Sequence, residues 1–436
     1  MEKKTIFFKK PVFKYSILLF FTVLIVLLIF YFFWALIPGP VGILQGATDD
    51  KSTQFAIVSD KPGLICMARE QGSDKLAVSA DQTDEISLKG SPFVVRKCYF
   101  NNLESNKKYD LEMLDQNKTL IEKRTFGLLP IKDEDFTVAI ISCTSDLVHI
   151  PTIWEKFFSH SPDLLLMIGD NVYADVYRSF TDLTETHLWN RYAATWRVLS
   201  LFKKEKLIPI LGIWDDHDYG VNNGNSSHQG KDYAKFLYES FFAQTYPNSR
   251  LKKGPATSFI YELGKTNLIF VDGRYFRTDP VQHNGSYFTS EQTAWVVDEL
   301  TRNKDTVNWI ITGNQWFGSE YQEENFEHDQ PEGLKSFLEA VNKTQAVYFL
   351  ASGDTHFSEI KKVNYLDKSI YEVTSSAMHA WPPGVIFPDD RRLVVPTNQP
   401  NFTLARFNNK SPAVIVFSTY GMLGNLKFDF KMNLLE

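Results

Sequence analysis

Only three cysteines occur among 436 residues, too few for a disulfide framework to stand in for a hydrophobic core. Cations are outnumbered as well: 46 Lys and Arg face 52 Asp and Glu, a net charge of -6. No basic stripe follows the N-terminal tail, which argues against a nucleic-acid partner. Internal repeats and low-complexity stretches are absent from the sequence too. What the length leaves room for is two domains with at least one large core.

The longest apolar run lies at the front. Tyr15 to Ile37 carries no charge, is dense in Leu, Ile, Val and Phe, and stops at Pro38-Gly39-Pro40. As a helix it would be about 34 Å long, enough to cross a bilayer. Lys3, Lys4, Lys9, Lys10 and Lys14 precede it, and basic flanks stay cytoplasmic. The run therefore reads as a type II, single-pass signal anchor. Residues 1–14 form a cytoplasmic tail, 38–50 a linker, and the rest lies outside the cytoplasm. A cleaved signal peptide, giving a secreted form, is the alternative. Against it, the run exceeds a usual signal core, and only Gly46-Ala47 resembles a cleavage site. Cys66 and Cys98 sit in strand-like segments and are candidates to pair in an oxidising compartment; two buried thiols are the other reading. Asn117, Asn225, Asn284, Asn342, Asn401 and Asn409 each begin an N-x-S/T triplet.

Residues 51–129 hold short alternating segments such as QFAIVS and YDLEML, separated by Gly, Pro, Asn and Asp. That texture predicts a small antiparallel, fibronectin-like β-sandwich with Tyr109 buried. From 130 to 436 the segments become continuous apolar runs, among them FTVAIIS, LLLMIGD, LIPILGIW, VNWIITGN and AVYFLASGD, alternating with helical stretches. Strands buried on both faces and covered by helices predict a layered α/β domain.

Five of these runs end in polar groups: Cys143; Asp170 with Tyr173; Asp215-Asp216-His217-Asp218; Asn314-Gln315; and Asp354 with His356. Ligand sites in layered α/β folds form beyond the carboxyl ends of strands, so the five should converge. Carboxylates, a thiol, a phenol and an imidazole without matching Lys or Arg imply bound cations. Cys143, Asp170, Tyr173 and His356 suit a strongly polarising ion such as Fe3+, because a free phenol has a pKa of about 10. Asp170, Asp216, Asp354 and Asn314 offer hard oxygens for Ca2+, Mg2+ or Mn2+, with Asp170 able to bridge.

The order Ser142-Cys143, GDxxY at Asp170, WDDHD at Asp216, GNQ at Asn314 and GDxH at Asp354 resembles the alkaline phosphatase D (PhoD-like) metallophosphoesterases. That family is itself similar to purple acid phosphatases. The resemblance spans roughly residues 137 to 425 and implies a four-layer α/β/β/α phosphoesterase domain. It further implies Fe3+ on Cys143, Asp170, Tyr173 and His356, and Ca2+ on Asp170, Asp216 and Asp354. Mg2+, Mn2+ and Zn2+ remain alternatives at either position. His217 becomes the candidate to contact phosphate or protonate the leaving group, with Asp215 or Asp218 orienting its ring. Arg274 matches a family arginine that would grip phosphate; a pairing with Asp215 or Asp218 is the competing reading. Asn171 stands where the family often has an aromatic or basic residue, and with Asn314 it is a candidate substrate contact. Trp316, Trp381, His379, Tyr219 and Tyr275 are candidates to line the mouth. The expected substrate is a phosphate monoester or diester, a lipid head group included, and a catalytically inactive ligand-binding relative is the alternative.

Overall fold

The computed structural model describes residue 22 and residues 38–435, apart from 132–134, 176–183, 280–284, 319–323 and 367. The anchor expected at 15–37 and Asn284 therefore lie outside the described residues. No helix among the described residues is long and apolar enough to cross a membrane.

The N-terminal unit is a sandwich of two four-stranded sheets. One runs Val41–Thr48, Thr53–Ser59, Val94–Phe100, Gln82–Ser87; the other runs Val78–Ser79, Ile65–Glu70, Lys108–Leu114, Leu120–Gly127. All neighbours are antiparallel. Inward residues alternate along each strand, as a two-sheet core requires, and Phe55, Leu111, Met113 and Phe126 are among them. A Cys66–Cys98 disulfide ties one sheet to the other. Tyr109 is buried, and its hydroxyl accepts from the Glu104 amide at 2.8 Å.

The expected linker at 38–50 is corrected: it contains the fully buried strand Val41–Thr48. Two glycines hide its alternation, and packing explains both. A Cβ on Gly42 would stand 2.3 Å from the Trp196 carbonyl oxygen, and one on Gly46 would stand 1.7 Å from that of Ala243. The strand backbone thus lies directly on the second unit. Gly39 and Ala47 donate their amides to the carbonyls of Arg197 and Ala243, each at 2.7 Å.

The second unit stacks two large sheets. The six-stranded sheet orders Ile210–Ile213, Leu164–Ile168, Asp135–Ile141, Asn401–Asn408, Val414–Gly421, Leu426–Asn433; its first three strands are parallel. The seven-stranded sheet has Thr266–Phe270, Val307–Ile311 and Val347–Ser352 parallel at its centre. Strand alternation builds the layers. Trp309 reaches across to Phe407 and Phe417 of the first sheet, while Ile310 turns the other way onto the helices Ser290–Arg302 and Pro331–Asn342. On the first sheet, Phe402 packs outward against Phe157 of the helix Pro151–Ser159. The sequence of layers is helix, sheet, sheet, helix.

Because the central strands of both sheets are parallel, their carboxyl ends emerge at one rim. Gly169, Gly313 and Gly353 let the loops there touch. A Cβ on Gly313 would meet Asp215 Cγ at 2.5 Å, and one on Gly353 would meet the Ile168 carbonyl at 2.5 Å.

Candidate metal centre

Cys143, Asp170, Asp354 and His356 each follow a strand end, and all four adopt left-handed backbone, with φ of 53°, 52°, 68° and 60°. Such conformations cost L-residues of order 1 kcal/mol or more and gather where function fixes them. Here they turn four side chains off straight strands toward one point.

The side chains meet as their motifs suggested. One ligand atom each from Cys143, Asp170 and His356 lies within 4.8 Å of the others, as do those of Asp215, Asp216 and Asp354, and of Asp170, Asp216 and His217. Cys143 Sγ is 3.4 Å from Asp170 Oδ2, and Tyr173 Oη is 3.3 Å from His356 Nε2. Ser376 Oγ lies 3.2 Å from the Cys143 sulfur and accepts from the His356 amide at 3.0 Å, tying both ligand loops. Asp170 belongs to two of these three groups, and Asp216 links the one with His217 to the one that holds Asp354.

Charge is what this arrangement lacks. Among the described residues, neither Asp170 nor Asp354 forms an ion pair with Lys or Arg. Burial, then repulsion from neighbouring acidic groups, pushes both carboxyls well above their ordinary range. Burial also drives the Cys143 thiol up to about 12 and raises the Tyr173 phenol, while it lowers His356 to about 4. Asp170 Oδ1 and Asn314 Oδ1 are buried with no hydrogen-bond partner. Orphaned oxygens and crowded acids fit a pair of cations, which would reverse each of these upward shifts. Cys143, Asp170, Tyr173 and His356 would hold one; Asp170, Asp216, Asp354 and Asn314 would hold the other.

His217 is oriented by a residue the sequence reading missed. Its Nδ1 lies 2.8 Å from Asp175 Oδ1 and 2.9 Å from Oδ2, and its ring stacks on Tyr173 with centroids 4.2 Å apart. Burial alone would lower the imidazole, but Asp216 and Asp175 outweigh it and raise it to about 9. Asp215 and Asp218, expected in that role, do other work. Asp218 accepts from the amides of Val172 at 2.8 Å, Asp215 at 3.0 Å and Asn171 at 3.1 Å, pinning two ligand loops together. Asp215 accepts from Arg274 Nε at 2.5 Å.

Two substrate contacts are corrected by the same geometry. Arg274 is fully buried, and its other nitrogens are spent on Glu324: Nη1 to Oε1 at 2.8 Å and Nη2 to Oε2 at 2.7 Å. It is the partner of Asp215, not a phosphate grip. Asn171 is fully buried too, with Nδ2 donating to the Ile213 carbonyl at 2.8 Å, beside the Asp218 carboxylate. Asn314 likewise faces inward, with Nδ2 3.3 Å from Glu324. Its free oxygen suits a ligand better than a substrate contact. Of the aromatic candidates, only Trp381 lines the cleft. Trp316 packs in the core against Phe288 and Phe337, and His379 accepts from Trp154 Nε1 at 2.7 Å. Tyr219 is buried, and Tyr275 donates to Asp232 at 2.5 Å.

The centre opens into a cleft of about 370 Å3. It is lined by Asp216, His217, Asp354 and His356 together with Asn222 and Asn223, and by Trp381, Val385 and Phe387 from a later segment.

No protein-family model and no curated protein matches the chain. In fold it is similar to a solved structure described as PhoD, with a TM-score of 0.67 at 14% identity, over 90% of this chain and 92% of that one. It is also similar to purple acid phosphatase PPD1 from seeds of yellow lupin, Lupinus luteus. There the TM-score is 0.65 at 12% identity, over 92% of this chain and 76% of the other. At such identities the likeness is one of fold, and chemistry has to be argued from the site.

Proposed function

We propose that the chain is a metal-dependent phosphoesterase that hydrolyses phosphate esters in the cleft above Asp170. One observation carries the reading. A thiol, a phenol, an imidazole and three carboxylates converge at strand ends, and no Lys or Arg among the described residues neutralises Asp170 or Asp354. Tyr173 as a ligand favours Fe3+ at the first position, since few ions deprotonate a phenol near neutrality. The all-oxygen second set favours Ca2+ or another hard divalent ion.

The chemistry that bound cations supply is polarisation of a phosphoryl oxygen and acidification of water. The protein does the rest. Asp175 holds His217 by Nδ1, so Nε2 is the atom left to face the ester and donate to the departing alcohol oxygen. The bond from phosphorus to water forms as the bond to the alcohol breaks. Asp218 keeps the Asp170 loop and the Asp216 turn in register, so that a bridging carboxylate meets both positions.

The reading includes a type II anchor at residues 15–37, with the catalytic unit outside the cytoplasm. The flanking lysines support it, as does the Cys66–Cys98 pairing, which suits an oxidising compartment. Among the glycosylation triplets, Asn401 is withdrawn: its side chain is buried and donates to the Ser376 carbonyl at 2.8 Å.

The test is turnover of a chromogenic phosphoester by metal-loaded protein, together with its absorption spectrum. A violet phenolate-to-iron band that vanishes in Tyr173→Phe is expected. A metal-loaded protein that turns over neither a monoester nor a diester would sink the proposal.

A further inference from the structure

Polar and apolar residues line the cleft in different segments of the chain. Five of its lining residues come from 381–387, WPPGVIF, where Trp381 is 55% exposed, Val385 65% and Phe387 39%. Of the fifteen large hydrophobic side chains exposed among the described residues, Trp381, Val385 and Phe387 line the cleft. An apolar surface that borders a catalytic cleft marks a binding wall more often than a packing accident.

The wall is held in place. Asp389 and Arg391, just beyond it, form an ion-paired base: Arg391 Nη1 reaches Glu327 at 2.9 Å, Arg391 Nε reaches Asp389 at 2.9 Å, and Lys361 Nζ lies 3.3 Å from Asp389. Leu393 adds a backbone hydrogen bond to Ile360 at 2.8 Å. A rigid base beneath an apolar tip holds hydrophobic side chains in water at constant cost, which suits a surface awaiting an apolar partner.

Charge narrows the partner. No Lys or Arg side chain is among the described residues that line the cleft. A nucleotide or a polyphosphate brings further negative charges that this wall would leave unpaired. A single ester phosphate beside the acidic residues with a hydrocarbon group on the apolar ones leaves none.

We infer that the organic group of the ester is an alkyl or aryl chain, seated against Trp381, Val385 and Phe387. This rests on the phosphoesterase reading of the same site and names its substrate class.

The test uses the metal-loaded protein and p-nitrophenyl phosphodiesters of methanol, butanol and octanol below their micelle concentrations, so that the leaving group stays constant. Partial burial of each methylene is expected to raise kcat/KM about twofold, giving about a hundredfold rise over the seven methylenes from methyl to octyl. In a Trp381→Ser, Val385→Ser double variant the slope of log kcat/KM against chain length should flatten. Both side chains are exposed, so the thermal midpoint should stay close to that of the parent. General damage would instead lower all three esters equally and keep the slope. A flat series in the parent protein, or an unchanged slope in the variant, overturns the inference while leaving the phosphoesterase reading intact. If none of the three is hydrolysed while p-nitrophenyl phosphate is, the inference falls alone; failure on all four overturns the phosphoesterase reading with it.

Discussion

On one side of Asp216 lie Arg274 and Arg277, wrapped by Asp215, Glu324 and Asp329; on the other lie Asp170, Asp354 and Cys143. Both groups are buried acids at the same rim, yet they are compensated differently. Arg274 and Arg277 share Glu324, Arg274 also holds Asp215, and Arg277 reaches Asp329 at 2.7 Å. Across the boundary no guanidinium or ammonium group pairs with Asp170 or Asp354 among the described residues. Asp216 stands between, 3.8 Å from Arg274 Nη2; burial would raise it, but Arg274 and His217 hold it below the usual carboxylate range. One cluster is finished by the chain itself. The other has no such cation among the described residues, which is the basis for proposing ions there, and the first keeps its arginines on their own carboxylates.

Exchanging the fates of the two clusters gives the largest effects. Asp170→Asn removes the shared ligand, so metal content should fall at both positions and kcat/KM should drop about a thousandfold or more. Elemental analysis alongside kinetics checks this, and full metal content with retained activity would refute the bridge. Arg274→Met leaves Asp215 buried without its cation and Glu324 held by Arg277 alone. It should cost about 3–5 kcal/mol, seen as a thermal midpoint lower by about 4–6 °C even in metal-free protein. An unchanged midpoint would show that the arginine cluster is not structural.

Smaller effects sharpen the boundary. Asp175→Asn should lower kcat about tenfold to a hundredfold with little change in KM, because it loosens His217 without touching a ligand. An equal loss of metal would reassign Asp175 to the metal group. The smallest signal is the pH dependence of metal stabilisation. In metal-free protein the folded-state pKa values of Asp170 and Asp354 are raised, so ionising them costs stability as pH climbs past the unfolded value near 4. The gap in midpoint between loaded and chelated protein should therefore widen, by a few degrees, from pH 5 to pH 8. A gap that narrows would mean that these acids are relieved by something other than cations.

The open cluster was readable from the sequence because each member directly follows an apolar run. Cys143, Asp170, Asp216, Asp354 and His356 are carried to the rim by strands whose burial was evident, and parallel pairing does the rest. The closed cluster was not readable. Nothing local says whether Arg274 faces a cleft or a carboxylate 50 residues away, and Glu324 sits in SEYQEENFEHD, which carries no strand signal. Asp175 was within reach of the motif, five residues after Asp170, but only folding shows that it meets His217, 42 positions on. Asn171 failed for a related reason. Its neighbour Asp170 takes a left-handed turn, and the Asn171 side chain points back at a strand end, donating to the Ile213 carbonyl. The strand at Val41–Thr48 was hidden by Gly42 and Gly46, whose missing side chains are visible in sequence while the Trp196 and Ala243 backbone pressing on them is not.

That contact has a mechanical consequence. Three residues, 38–40, separate the end of the apolar run from the buried strand, a leash of about 10 Å at full stretch. Gly39 is already fastened to Arg197, so hardly any of it is slack. With 15–37 in a bilayer, the proposed catalytic unit would not sweep the surrounding volume. It would stand almost flush on the lipid surface, and its orientation there would govern which esters come within reach.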